Sequence, residues 1–222
     1  MFELIGRGNT AEIYRCGNGK VCKLFREGYP HEFVEQELIN AREIVRSGVR
    51  ACAPYEVVRM ENRSGILYEE IEGQSLLQLL THGRVVFSDF LTVFVGLQFE
   101  ICAHRSTKVP SFKQFLSAQL KSKGVKDSLP FDEINALPED DCLLHGDFHP
   151  GNILIARGGT PVVIDFMNVC HGPFLYDVAR TFFLIGQYDN RLAEAYLDRA
   201  NVKMRDISGY LRVIAICRQY ES

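Results

Sequence analysis

Residues 142–154 read CLLHGDFHPGNIL, and residues 162–166 read VVIDF. Two histidines, an aspartate and an asparagine stand side by side between apolar runs. A core strand has no use for such neighbours, because each buried polar group must find a partner. The stretch therefore positions chemistry. Asp147 and Asn152 lie five residues apart, and Asp165 lies thirteen beyond Asn152. The runs ILIA and VVIDF flank Arg157-Gly-Gly, the pattern of a hairpin, which brings Asn152 and Asp165 to one end. An amide oxygen and a carboxylate are hard donors that suit Mg2+, above all Mg2+ that also holds phosphates. Asp147 is then left to orient an attacking hydroxyl and accept its proton.

Three upstream features extend the set. GRGNTAEIY separates two strand-like runs, so Gly6 and Gly8 let a backbone turn approach a ligand. Its N–H groups, those of Asn9 and Thr10 among them, suit phosphate oxygens. Lys23 sits in VCKLF, where strand alternation puts Val21, Lys23 and Phe25 on one face. Taken alone, Lys23 reads rather as a solvated edge lysine. The run HEFVEQELINAREIVRSG has helical spacing, with Val34, Leu38, Ala41 and Val45 as its inner stripe and Gly48 as its stop. At about 100° per residue from Val34, Glu37 falls near −60°, on the stripe's border, and Glu43 near 180°, toward water. Glu37 is the acid placed to meet a lysine.

The elements that must carry these residues divide at Gly73. Before it come short strands (FELI, EIYRC, KVCKLF, PYEVVRM, ILYEEI), the helix above, and hairpin turns at CGNGK and ENRSG. After it, SLLQLL, FLTVFVGLQFEICAHR and stretches near 174–186, 190–199 and 206–219 read as helices, and KSKGVKDSLP as a loop. The fold class is α+β: a β-rich lobe over residues 1–72, joined through YEEIEG to a mostly helical lobe over 73–222.

Composition narrows the class. The chain has 222 residues, 46% apolar and 24% charged, with a net charge of −3, which gives no basic footprint for nucleic acid. Seven scattered cysteines without a CxxC pair indicate reduced thiols and a cytoplasmic setting. The start, MFELIGRGN, lacks a signal-peptide pattern, and no apolar segment is long enough to span a bilayer. A monomer or homodimer without membrane or nucleic-acid partners is expected.

Together, the Gly-rich hairpin, strand lysine, helix glutamate, HGDFHPGN and IDF resemble the protein-kinase-like fold. Specifically, they are similar to the aminoglycoside phosphotransferase and choline kinase superfamily, whose catalytic-loop signature is HGDxxxxN. The resemblance spans roughly residues 2–186 and implies a bilobal fold binding ATP, or GTP, with Mg2+ between the lobes. It implies that Lys23 holds the α- and β-phosphates, fixed by an ion pair with Glu37. Asp147 becomes the catalytic aspartate, Asn152 and Asp165 the Mg2+ ligands, and His149 a residue near the γ-phosphate. The Glu69 carbonyl and Ile71 N–H would bind adenine, with Ile13 and Val21 above the ring and Leu154 below. Asp177, in GPFLYDVAR, is similar to the superfamily's structural aspartate. Two departures stand out against protein kinases. Ala11 replaces a third glycine, and Met167 follows Phe166 where a DFG triplet has glycine.

The resemblance also bears on the acceptor. Only twelve residues separate Asp165 from Asp177, too few for the long activation segment of a protein kinase, so the expected acceptor is a small-molecule hydroxyl of aminoglycoside, choline or sugar type. Charge does not choose among these: from residue 74 onward 16 acidic residues face 15 basic ones. Asp189, Glu194, Asp198, Tyr188, Tyr196 and Tyr210 are candidates for lining such a site. His145 is expected to hydrogen-bond the loop backbone, and His31, His82, His104 and His171 to be structural or solvent-facing. The alternatives are a catalytically silent nucleotide-binding regulator and a metal-dependent hydrolase built on His145, Asp147, His149 and His171.

Overall fold

The computed structural model describes residues 3–220. In chain order the elements are β1 (Glu3–Arg7), β2 (Ala11–Gly17), β3 (Lys20–Phe25), α1 (His31–Arg46), β4 (Pro54–Met60), β5 (Arg63–Glu69), β6 (Gly73–Ser75), α2 (Leu76–Thr81), α3 (Phe87–Cys102), α4 (Phe112–Ser122) and α5 (Leu129–Ala136). They continue with β7 (Cys142–Leu144), a 3-10 turn (Pro150–Asn152), β8 (Ile153–Ala156), β9 (Pro161–Val163), β10 (Cys170–Gly172), α6 (Phe174–Gly186), α7 (Asn190–Ala200) and α8 (Met204–Arg218). Residue 2, the start of the expected FELI strand, lies outside the described residues.

Two compact units share the chain: residues 1–78 with 151–167, and residues 79–150 with 168–222. The partition thus differs from a single cut after residue 72. The physical reason is pairing. Strand β8 pairs antiparallel with β6 and β9, and β9 docks on the segment before β4, where Val163 exchanges hydrogen bonds with Arg50 and Cys52 at 3.0 Å.

The first unit is built on an antiparallel sheet in the order β1-β2-β3-β5-β4. Asn18 and Gly19, both at positive φ, close the β2–β3 hairpin, as the right-handed twist of flanking strands prefers. Helix α1 packs on β4 and β5 through Val34, Leu38, Ala41 and Ile44. Val45, expected inward, is exposed and Ile44 replaces it. The buried face is rotated toward Glu37 and Asn40, so Glu37 sits within it rather than on its border. Glu43, expected to face water, is largely covered and lies 3.6 Å from Arg46.

The second unit is helical, with α6 packed on α7 and α8, and α3 on α7 and β7. Phe90, Phe94, Phe148 and Tyr196 form its aromatic centre, with Phe94 stacked on Phe148 at 4.9 Å. Burying each such ring contributes about 1.5–3 kcal/mol. Helices α4 and α5 were not expected. Residues 121–122 and 129–130 of the presumed loop KSKGVKDSLP belong to their ends. The missed signal was local: Ser111 and Gln114 form a reciprocal capping box, ahead of buried Phe112, Leu116 and Leu120 at i, i+4 and i+8.

Of the seven cysteines only Cys16 is partly exposed, and burial pushes the Cys22 and Cys52 thiols up to about 12. A thiol-reactive dye at pH 7.5 is expected to label Cys16 alone in the native protein and all seven in denaturant. Rapid labelling of three or more native thiols contradicts the packing.

Candidate active site

A buried lysine cannot stand alone. In the first unit Lys23, on β3, donates to Glu37 Oε1 and to Asp165 Oδ1, each at 2.8 Å. Burial alone would depress the Lys23 pKa. The carboxylates of Glu37 and Asp165 outweigh it and the net shift is upward, so the ammonium stays charged. Burial in turn pushes the Glu37 carboxyl up, against the pull of Lys23. Tyr68, buried on β5, adds a third hand: its hydroxyl donates to Glu37 Oε1 at 3.1 Å.

The Gly-rich turn between β1 and β2 is closed by Gly8 N–H donating to the Ala11 carbonyl at 2.8 Å. Arg26 braces it by donating to the carbonyls of Asn9 (2.6 Å) and Gly8 (3.0 Å), while its own N–H donates to Thr10 (2.9 Å). With these carbonyls engaged, the turn is held in one shape. Gly6 pairs with Ile13, and Val21 with Arg15, in the same sheet. Leu154 is half-buried on β8, in the separate three-stranded sheet. At the end of β5 the Glu69 carbonyl accepts from the Cys52 thiol at 3.0 Å, and Ile71 follows in the connection to β6.

The expected hairpin forms from β8 and β9, and Ile164 N–H donates to the Asn152 carbonyl at 3.0 Å. Asn152 is therefore beside the strand end that carries Asp165. Asp165 has φ +66, a left-handed conformation that costs a non-glycine residue about 1–2 kcal/mol. One amide oxygen and one carboxylate make a sparse, hard donor set. Such a set fits Mg2+, which keeps waters and takes phosphate oxygens rather than filling an all-protein cage.

In the second unit, the segment after β7 is held by buried polar groups. Asp177 of α6 accepts from Gly146 N–H at 2.8 Å and from Gln98 Nε2 at 2.9 Å. Arg180 donates to the Gly146 carbonyl (3.0 Å), and Thr181 to the Phe148 carbonyl (2.9 Å). Tyr196 of α7 donates to Gln98 Oε1. Burial pushes the Asp177 carboxyl up, against the Gln98 amide and the Gly146 N–H that favour its charged form. The fully buried His145 ring accepts at Nδ1 from Asp147 N–H at 3.3 Å, so it bonds the loop backbone. His149 Nε2 lies 3.9 Å from Asp147 Oδ2. His171 sits on β10 with Nδ1 3.2 Å from the Asp140 carbonyl oxygen. Among the described residues, no three His, Cys, Asp or Glu side chains are gathered to hold a metal, which leaves the hydrolase alternative without its cluster.

A model of the phosphotransferase enzyme family APH matches residues 99–213, just over half of the chain. The chain belongs to this phosphotransferase family. Among solved structures, the phosphotransferase shares its fold with a thermostable mutant of aminoglycoside phosphotransferase APH(4)-Ia in its apo form. That likeness has 16% identity and a TM-score of 0.69 over 100% of this chain and 87% of that one. Aminoglycoside phosphotransferase APH(3'')-Id from Streptomyces rimosus, in complex with ADP and streptomycin, gives 13% identity and 0.65 over 97% and 92%. Choline kinase LicA from Streptococcus pneumoniae gives 16% and 0.61 over 99% and 84%. No curated protein matches the sequence.

Several residues that hold the candidate side chains within each unit were not legible beforehand. Asn40, Tyr68, Gln98, Arg180 and Thr181 are buried polar or hydroxyl-bearing groups, and the one available signal was a polar residue inside an apolar helical or strand pattern. Tyr196, a candidate for lining a substrate site, is instead fully buried in the polar network. An open cleft of about 1010 Å3 in the second unit lies between α4, α5 and the acidic stretch Glu139–Asp141, and its lining includes neither Asp147 nor His149.

Gly146 explains part of the motif. Its φ is +74, and a Cβ there would collide with the Asn168 carbonyl. Gly146→Ala is expected to cost more than about 2 kcal/mol in urea unfolding and to lower turnover with it. A variant of wild-type stability and turnover contradicts this loop geometry.

Proposed function

We propose that the protein transfers the γ-phosphoryl group of ATP, bound with Mg2+, to a hydroxyl of a small molecule of aminoglycoside, choline or sugar type. The observation that carries this reading is the Lys23 ammonium held by Glu37 and Asp165 at 2.8 Å in the unit that also bears the Gly-rich turn. An ammonium has three donors, so one remains for the α- and β-phosphates. In this reading Gly6 and Gly8 let the turn approach the phosphates, and the backbone N–H groups of Asn9 and Thr10 face them, the Gly8 N–H being engaged by the Ala11 carbonyl. The Glu69 carbonyl and Ile71 N–H take the adenine edge, between Ile13 and Val21 on one side and Leu154 on the other. The Glu69 carbonyl has a second lone pair beyond the one the Cys52 thiol uses.

Asn152 and Asp165 are the proposed Mg2+ ligands; the ion, when bound, would offset the negative charge of the phosphates. Asp147 orients the acceptor hydroxyl and takes its proton at the carboxylate, with His149 beside it. Lys23 counters charge on the transferring group. By fold analogy, the APH(3'')-Id structure in complex with ADP and streptomycin supports a nucleotide and a small molecule as the two ligands.

Thermal unfolding with ATP, with and without Mg2+, tests the reading. Nucleotide at ~100 times its Kd is expected to add about 2.7 kcal/mol, with Mg2+ enlarging the shift in the wild type but not in Asp165→Asn. Zn2+ or Mn2+ stabilising the protein without any nucleotide response overturns the reading. In an ATP-consumption screen of hydroxyl compounds, Asp147→Ala and Asp165→Ala should each lose at least ~100-fold in turnover. Near-normal turnover by either variant removes its assigned role.

A further inference from the structure

Helix α1 reaches the Asp165 segment twice. Through Glu37 it holds Lys23, which bonds the Asp165 side chain. One turn later Asn40 reaches the backbone that follows Asp165: its Nδ2 donates to the Phe166 carbonyl at 3.0 Å and lies 3.5 Å from the Met167 carbonyl. Asn40 is only 1% exposed, so these bonds do not compete with water. Its amide is also oriented. Gln36, four residues earlier on the helix, donates from Nε2 to Asn40 Oδ1 at 2.9 Å, which turns the nitrogen end toward Phe166.

This contact matters because of where Asp165 stands. On its N-terminal side, the Ile164 N–H is tied to Asn152 and Val163 is paired in the sheet. On its C-terminal side, Asn40 ties the Phe166 carbonyl, the Phe166 ring lies against Tyr68 at 6.3 Å, and the Tyr29 hydroxyl meets the Met167 sulfur at 3.3 Å. Asp165 is thus a single left-handed residue between two anchored peptide groups. A non-glycine residue keeps that conformation only where its surroundings over-determine it, and Asn40 supplies a buried side-chain hydrogen bond to the backbone just beyond it.

We infer that Asn40, with its amide oriented by Gln36, is a positioning residue that holds the Asp165 carboxylate in the place where it takes a divalent cation. The same helix then governs both the phosphate-binding lysine and the metal-binding aspartate, through residues three positions apart. The inference rests on the proposed metal role of Asp165.

The test is calorimetric titration of ATP, in EDTA and in Mg2+, on the full chain as wild type, Asn40→Ala and Gln36→Ala. Asn40→Ala is expected to bind ATP in EDTA within about twofold of wild type and to lose about tenfold of the tightening that Mg2+ brings, as for one buried hydrogen bond. Gln36→Ala, at a half-buried position, should move in the same direction by about threefold. A merely structural role would weaken binding equally in both buffers, or not at all, and either result overturns the inference. If Asn40→Ala does not fold, Gln36→Ala decides: a wild-type Mg2+ response overturns the inference, and a reduced one sustains it. A wild type whose ATP affinity ignores Mg2+ instead overturns the metal reading of Asn152 and Asp165, on which the inference depends.

Discussion

The first unit depends on one buried cation. An ammonium taken out of water costs several kcal/mol unless it is paired, and Lys23 is 8% exposed. Its two partners come from distant parts of the chain. Glu37 requires α1 to lie on the sheet with that side chain inward, and Asp165 requires the β8–β9 hairpin to return to the first unit from between stretches of the second. The pairing of β8 with β6, and the bonds of Val163 to Arg50 and Cys52, are the means of that return. Tyr68 and Asn40 then complete the shell, one on the Glu37 carboxylate and the other on the backbone after Asp165.

The second unit solves a related problem with neutral groups as well as charges. A loop that presents Asp147 must leave the sheet, and its peptide groups lose their strand partners. Here they are met by Asp177, Arg180 and Thr181 from α6, with Gln98 and Tyr196 bracing Asp177 from behind. The Phe148 ring, stacked on Phe94, anchors the same loop in the core. Polar satisfaction and apolar burial therefore act on adjacent residues of the loop.

Legibility followed the range of the interactions. The β-rich first part, α1 and five of the later helices were readable because their periodicities are local, and the turns at Asn18-Gly19 and Gly158-Gly159 announce themselves by residue type. Helix α4 carries an equally local signal in the Ser111–Gln114 capping box. The rotation of α1 was a different matter. Val45 suits the ideal stripe, but it faces out because the sheet beneath accommodates Ile44, Glu37 and Asn40. Tyr196 misled for the same reason: an aromatic residue near a presumed site is no guide to where its ring points.

By itself the sequence determined the family and the residues to propose for its site. Asp147, Asn152, Asp165, Lys23 and Glu37 are of types with few substitutes, and three of them sit at spacings set by one loop and one hairpin. Covalent geometry over so short a span leaves few arrangements. Only the tertiary structure decided which groups hold these residues still. Asn40, Tyr68, Gln98, Arg180 and Thr181 act across separations of 31 to 126 residues. A hydrogen bond at such range depends on the packing of whole elements, to which no local pattern of residue types is sensitive.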